Sequence, residues 1–162
     1  MPVCVLNARR KGRRGNSSRF MLSFIVVFVT LAFDQISKYL ISAKIELNST
    51  LPIVKGIFGL SLVHNRGAAF GIFKNQLYLF IITSIVAIVL IYFVLKDNRN
   101  NKRYVVSLSL ILAGALGNLI DRIRFGFVID FLNFYIWPVF NVADSAITVG
   151  AVLLGWAILR QK

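Results

Sequence analysis

Apolar residues gather in four long runs, at 20–41, 77–95, 104–120 and 139–159. Each is close to the roughly 20 residues that a helix needs to cross a bilayer. The pattern predicts an integral membrane protein, mainly α, built on a bundle of four transmembrane helices. The first run is apolar through Phe33 apart from small hydroxyls, and then places Asp34 and Lys38 four residues apart on one helix face. Opposite charges at that spacing can pair, which lowers the cost of burying them. The second run contains no acid, lysine or arginine and reads as a lipid-facing scaffold. The third carries Ala113, Gly114, Ala115 and Gly117, small residues that let helices approach closely in lipid. Pro138 is the expected start signal of the fourth.

The pattern changes between residues 42 and 76. Short β-rich runs are broken by Pro52, Gly56, Gly59 and Gly67, which predicts strands and tight turns in a small sheet on the membrane surface. Within it, HNRGAAFG has a turn composition at Asn65, Arg66 and Gly67. Residues 1–19 are polar and basic and are expected to be a disordered cytoplasmic arm ahead of one membrane domain over 20–162. Met21 would also serve as a start, and no small-residue cleavage site is visible near 30–33.

Composition agrees, with 57% hydrophobic and 15% charged residues. The net charge of +13 raises the question of nucleic acid, but the charge is clustered. Six of the 19 basic residues precede residue 20 and four lie between 96 and 103, flanking apolar runs as orienting charges do. No nucleic-acid partner is expected. With one cysteine, Cys4, and one histidine, His64, no disulfide, zinc site or other cofactor is expected.

Placing the basic clusters in the cytoplasm puts both termini on the cytoplasmic side of the cytoplasmic membrane and runs spans one and three outward. At 1.5 Å per residue, Asp34 then stands roughly 22 Å above Arg19, Asp121 roughly 27 Å above Arg103, and Asp144 roughly 24 Å above Arg160. These heights lie near the outer edge of a core about 30 Å thick. Asp130, in the outer connection between spans three and four, can join them. Four of the six acids thus converge on one layer.

A carboxylate in such apolar surroundings is costly and needs a reason. Two carboxylates a few ångströms apart share one proton, and the pair can hold a water, take its proton and donate another. Asp130 and Asp144 are the candidates for such an aspartic-peptidase dyad. Asn118, Asp121 and Arg122 are read as support; Asp121 and Arg122 point to different helix faces, and each is expected to fix a strand or loop. Asn141, three residues before Asp144, can hydrogen-bond to the dyad or to substrate backbone. Asp144 as a plain helix N-terminal charge is the alternative.

FDQISKY, HNRGAAFG, GALGNLIDRIRFGFVIDF and FNVADSAITVGA, in this order and between four spans, closely resemble the bacterial lipoprotein signal peptidases (signal peptidase II). The resemblance covers about residues 20–160. It implies that Asp130 and Asp144 are the catalytic pair and that Asp34, Lys38, Asn65, Gly67, Asn118, Asp121, Arg122, Asn141 and Ala143 match the family's other functional positions. It implies a diacylglyceryl-modified prolipoprotein as substrate, cut just before the lipid-bearing cysteine at the outer face of the cytoplasmic membrane. It also implies contact with membrane lipids, block by globomycin-type peptides, and a fold with a small extracytoplasmic β-cradle and a short helix. The basic arm is longer than usual for the family. Two rival readings of the acids stay open: a carboxylate-based ion or proton transporter, and a non-enzymatic scaffold.

Overall fold

The structure, a computed structural model, describes residues 3–67 and 76–160, with side chains from residue 18 onward. Its elements run α1 (Val3–Lys44), β1 (Thr50–Val54), β2 (Phe58–Asn65), α2 (Leu77–Asp97), α3 (Lys102–Phe125), β3 (Val128–Asn133) and α4 (Val142–Leu159). All four helices are long and apolar enough to cross a membrane, the first over Ser18–Lys44. The backbone is helical from Val3, so over 3–19 the basic segment expected to be disordered continues the first helix. Arg, Lys and Ala are good helix formers, and no proline follows Pro2 there.

α3 is the central helix, packed on α1, α2 and α4. Gly114 and Gly117 make this possible. A Cβ at Gly114 would collide with the Ala143 carbonyl oxygen and stand 2.7 Å from Ile147 Cγ1. One at Gly117 would stand 2.6 Å from Asp34 Oδ2. Gly114→Ala is therefore expected to destabilise the helix pair by about 1–3 kcal/mol, read as a lower melting temperature in detergent; an unchanged melting temperature would contradict the packing. A hydroxyl pair, Ser23 Oγ and Ser109 Oγ at 2.7 Å, ties α1 to α3.

α3 continues five residues beyond the expected end at 120. Hydropathy stops at Asp121, but the helix does not, because Asp121 is buried and ion-paired. It ends at Gly126, whose φ of 78° is a left-handed cap that glycine adopts without strain. α4 starts at Val142, later than the expected 139. Pro138 does not start it, because Phe140 is still paired as a bridge to Leu132 and Asn141 supplies the cap.

The sheet is antiparallel in the order β1-β2-β3. Its first two strands lie in the region expected to form the cradle. The third, VIDFLN, comes from the connection between α3 and α4 and was not anticipated as a strand; Gly126 and the β-branched Val128 and Ile129 are the local signals for it. The sheet thus joins the α1–α2 and α3–α4 connections on one side of the bundle. Among the described residues there is no additional short helix; residues 68–75 lie outside them.

Candidate active site

Four acids meet where the sheet joins the bundle. Asp34, Asp121 and Asp130 are buried and Asp144 is partly buried. They are organised by one cation. Lys38 Nζ lies 2.8 Å from Asp34 Oδ2 and 2.8 Å from Asp121 Oδ2, and is only 2% exposed. The i, i+4 pair expected from the sequence is present, extended by Asp121 into a triad. Two carboxylates around one ammonium leave one net negative charge, which further donors stabilise. Asp34 Oδ1 accepts from the Ala143 backbone N–H at 2.8 Å, so a carboxylate on α1 sits at the positive end of α4. This contact is what Ala143 supplies, and its small buried side chain lets α1 and α3 come near.

Asp121 Oδ2 also accepts from the Ile129 backbone N–H at 3.2 Å. It therefore pins β3 one residue before Asp130. Gln35, which the sequence reading passed over, donates to Asp34 Oδ2 and Asp121 Oδ1, both at 3.1 Å, and to the Gly117 carbonyl at 3.4 Å. Its position beside Asp34 was the only available signal.

From the cation triad, two asparagines lead to the remaining acids. Asn118 Oδ1 accepts from Lys38 Nζ at 3.3 Å and from Asn141 Nδ2 at 3.2 Å, while its Nδ2 donates to Asp144 Oδ1 at 2.8 Å. Asn141 Nδ2 donates to Asp130 Oδ1 at 2.7 Å and also faces the Ile129 carbonyl at 3.3 Å. Asn141 Oδ1 accepts from the Asp144 backbone N–H at 2.8 Å, and Asp144 Oδ2 accepts from the Asn141 N–H at 3.4 Å. The last two bonds form a capping box at the start of α4. The helix-cap role weighed as the alternative for Asp144 is thus real, and it coexists with a carboxylate turned toward Asn118.

Asn65, the last residue of β2, donates from Nδ2 to Asp130 Oδ2 at 2.9 Å. Its Oδ1 accepts from the Gly67 N–H at 3.0 Å, an Asx-type turn that fixes the amide's orientation. Both oxygens of Asp130 are therefore held by amide donors, one from each flank. Burial nevertheless pushes the Asp130 carboxyl up to about 7, and the nearby Asp144 carboxylate adds to the rise; the Asn65 and Asn141 hydrogen bonds and the more distant Lys38 charge oppose it. Arg122 lies apart from this chain of bonds, its guanidinium over the Phe80 ring at 5.1 Å. His64 stacks on Phe127 at 3.8 Å, away from the acids. Among the described residues no cluster of His, Cys, Asp or Glu has the arrangement of a metal site.

Known proteins match both the sequence and the fold. The family described as signal peptidase (SPase) II matches residues 26–160. A lipoprotein signal peptidase of Halothermothrix orenii is 47% identical over 139 residues, covering 86% of this chain and 96% of that protein. One of Moorella thermoacetica is 47% identical over 138 residues, covering 83% and 91%. A bacterial membrane enzyme solved by the in meso method at 2.3 Å resolution superposes with a TM-score of 0.81 at 34% identity, over 86% of this chain and 88% of that one. Sequence match, relatives and fold agree, and the chain belongs to the signal peptidase II family.

Proposed function

We propose that Asp130 and Asp144 form the water-activating dyad of this membrane peptidase. As a signal peptidase II it removes signal peptides from lipoproteins. The observation that carries the dyad is Asn141, whose amide group touches the Asp130 carboxylate and the Asp144 backbone at once. The two acids are thereby tied into one buried network, and each raises the question of who holds the proton. Burial and the neighbouring Asp144 carboxylate both favour the protonated form of Asp130, and we assign Asp130 as the acid and Asp144 as the base.

The reaction then follows. Asp144 takes a proton from the water held between the carboxyl groups, and the water oxygen attacks the scissile carbonyl carbon. Asp130 gives its proton to the carbonyl oxygen, forming a gem-diol. On collapse, Asp144 passes its proton to the leaving nitrogen as the C–N bond breaks, and Asp130 recovers one from the diol. Asn65 and Asn141 keep Asp130 oriented throughout; Asn118 does the same for Asp144. Lys38, Asp34 and Asp121 support the asparagines and β3, Gly67 fixes the Asn65 amide, and Arg122 packs α3 against Phe80 of α2.

The substrate is proposed to be a diacylglyceryl-modified prolipoprotein, cut before its lipid-bearing cysteine. A lipidated cysteine sits at the membrane–water boundary, and the dyad lies where the sheet meets the helix ends. The basic clusters orient both termini to the cytoplasm and the dyad to the extracytoplasmic face of the cytoplasmic membrane. Globomycin-type peptides are expected to occupy the dyad without being cleaved. The domain is taken as 20–162 behind a basic arm.

Purified protein is expected to cleave a diacylglyceryl peptide and to leave the unlipidated peptide intact. The rate should fall as pH rises through about 7, because ionising Asp130 removes the acid, and fall again at low pH as the base is protonated. A rate that stays flat well above pH 7 would contradict the assignment of Asp130 as proton donor.

A further inference from the structure

The sheet has a near end and a far end. At the near end Asn65 pairs with Val128, beside the cap of α3. At the far end the β1–β2 hairpin turns over 54–58, and Gly59 pairs with Asn133, where the chain leaves β3 for the loop 134–139. This far end is apolar and exposed. Ile53, Val54 and Ile57 are exposed on the hairpin, and Phe134, Tyr135, Ile136 and Trp137 on the loop, with Ile136 at 95% and Trp137 at 63%.

The loop is braced in that posture. Tyr135 adopts a φ of 60°, uncommon for a residue with a side chain, and its N–H donates to Asn133 Oδ1 at 2.8 Å. The Ile136 N–H turns back to the Phe134 carbonyl at 2.7 Å. The Phe134 ring lies against Phe58 at 4.9 Å and stacks on Phe140 at 5.9 Å. Gly59 leaves room for Tyr135, whose hydroxyl lies 2.8 Å from where a Cβ would stand. A loop in water would gain by folding Ile136 inward; this one holds it out.

Three observations identify what receives it. The loop ends at Phe140, two residues before a membrane-spanning helix, so it is continuous with the bilayer-facing surface. Across 50–58 and 133–140 the only charged residue is Lys55, a cation suited to lipid phosphates. Tyr and Trp beside an aliphatic residue are the side chains that settle at the headgroup level. We propose that the far end of the sheet, led by Ile136 and Trp137, inserts into the lipid leaflet on its own side and sets the height of Asp130 relative to the headgroups.

The coupling runs through the backbone. The Phe131 and Leu132 N–H groups both donate to the Phe140 carbonyl, and the Phe140 N–H donates to Leu132, so the loop is clamped to the strand that carries Asp130. The proposal deepens the peptidase reading, which makes the height of the dyad matter for a lipid-anchored substrate.

The chain has two tryptophans, so Trp156→Phe leaves Trp137 as the sole indole reporter. In phosphatidylcholine–phosphatidylglycerol vesicles, lipids brominated near the headgroup end of the acyl chain are expected to quench at least about half of its emission, and aqueous iodide little. Quenching by iodide and not by bromolipid overturns the proposal, whether water, substrate or a second copy is what Trp137 faces. Ile136→Asp is expected to lower cleavage of a diacylglyceryl peptide about tenfold in vesicles but leave it within about twofold in detergent micelles, which deform around the loop. Equal loss in both media, in a variant whose melting temperature matches the original, would overturn the depth-setting role. The quenching result does not depend on which residues cleave, so failure of the dyad assignment would leave it standing.

Discussion

Asp144→Asn is expected to reduce cleavage of a diacylglyceryl peptide by about a thousandfold or more while the protein still folds and inserts. The substitution keeps shape and removes the proposed base. Its carbonyl oxygen can still accept from Asn118 Nδ2, the 2.8 Å bond, and the weaker 3.4 Å contact with the Asn141 N–H is the one given up. The Asn141 side-chain cap on the residue 144 N–H is untouched. Stability should therefore change by no more than about 1 kcal/mol. Asp130→Asn is expected to be as inactive but less well tolerated. Both oxygens of Asp130 accept from amide donors, Asn141 Nδ2 at 2.7 Å and Asn65 Nδ2 at 2.9 Å. An introduced amide would turn an N–H toward one of them, at about 1–3 kcal/mol for the unsatisfied group. Melting curves beside the rates separate the two effects. A well-folded variant that cleaves normally would remove its aspartate from the dyad.

Lys38→Met is expected to have the second-largest effect, on folding rather than chemistry. It leaves Asp34 and Asp121 buried without their shared cation, a loss of about 3–5 kcal/mol. For a chain of this size the melting temperature in detergent should drop by on the order of 10 °C. Activity should fall with it, because Asn118 loses the Lys38 donor that helps hold its carbonyl, and β3 loses part of its anchor through Asp121. Pairing the substitution with Asp121→Asn should restore part of the stability, since one buried charge then disappears with the other. A Lys38→Met protein as stable as the original would mean that the triad does not hold the bundle.

Much of this is legible in the amino-acid sequence. Long apolar runs locate membrane helices because lipid admits few alternatives for the backbone. Acids inside those runs point to a site because burial makes each one expensive. The boundaries were less legible, for a related reason. Hydropathy breaks at Asp121, yet the helix continues to Phe125 because Lys38, on a different helix, neutralises that acid. Pro138 resembles a helix start, but the pairing of Phe140 with Leu132 holds the chain extended for longer.

What local pattern could not supply was the partnership of side chains far apart in sequence. Gln35 is a neutral residue beside a conspicuous acid, and only the packing of α1 on α3 shows that it bridges two carboxylates. The strand holding Asp130 is five apolar or amide residues around one acid, too short to announce itself, and becomes a strand by pairing with β2. Asn141 could be placed near Asp144 from its spacing. That its amide also reaches Asp130 required the sheet.

The most direct measurement is single-turnover cleavage of a diacylglyceryl peptide by the purified original protein, Asp130→Asn, Asp144→Asn and the double variant. If one water is handled jointly by both carboxyl groups, each single substitution costs as much as the double, with all three near the uncatalysed rate. Losses that multiply from single to double, or one variant that keeps cutting, would show two acids acting independently and contradict the shared-water dyad.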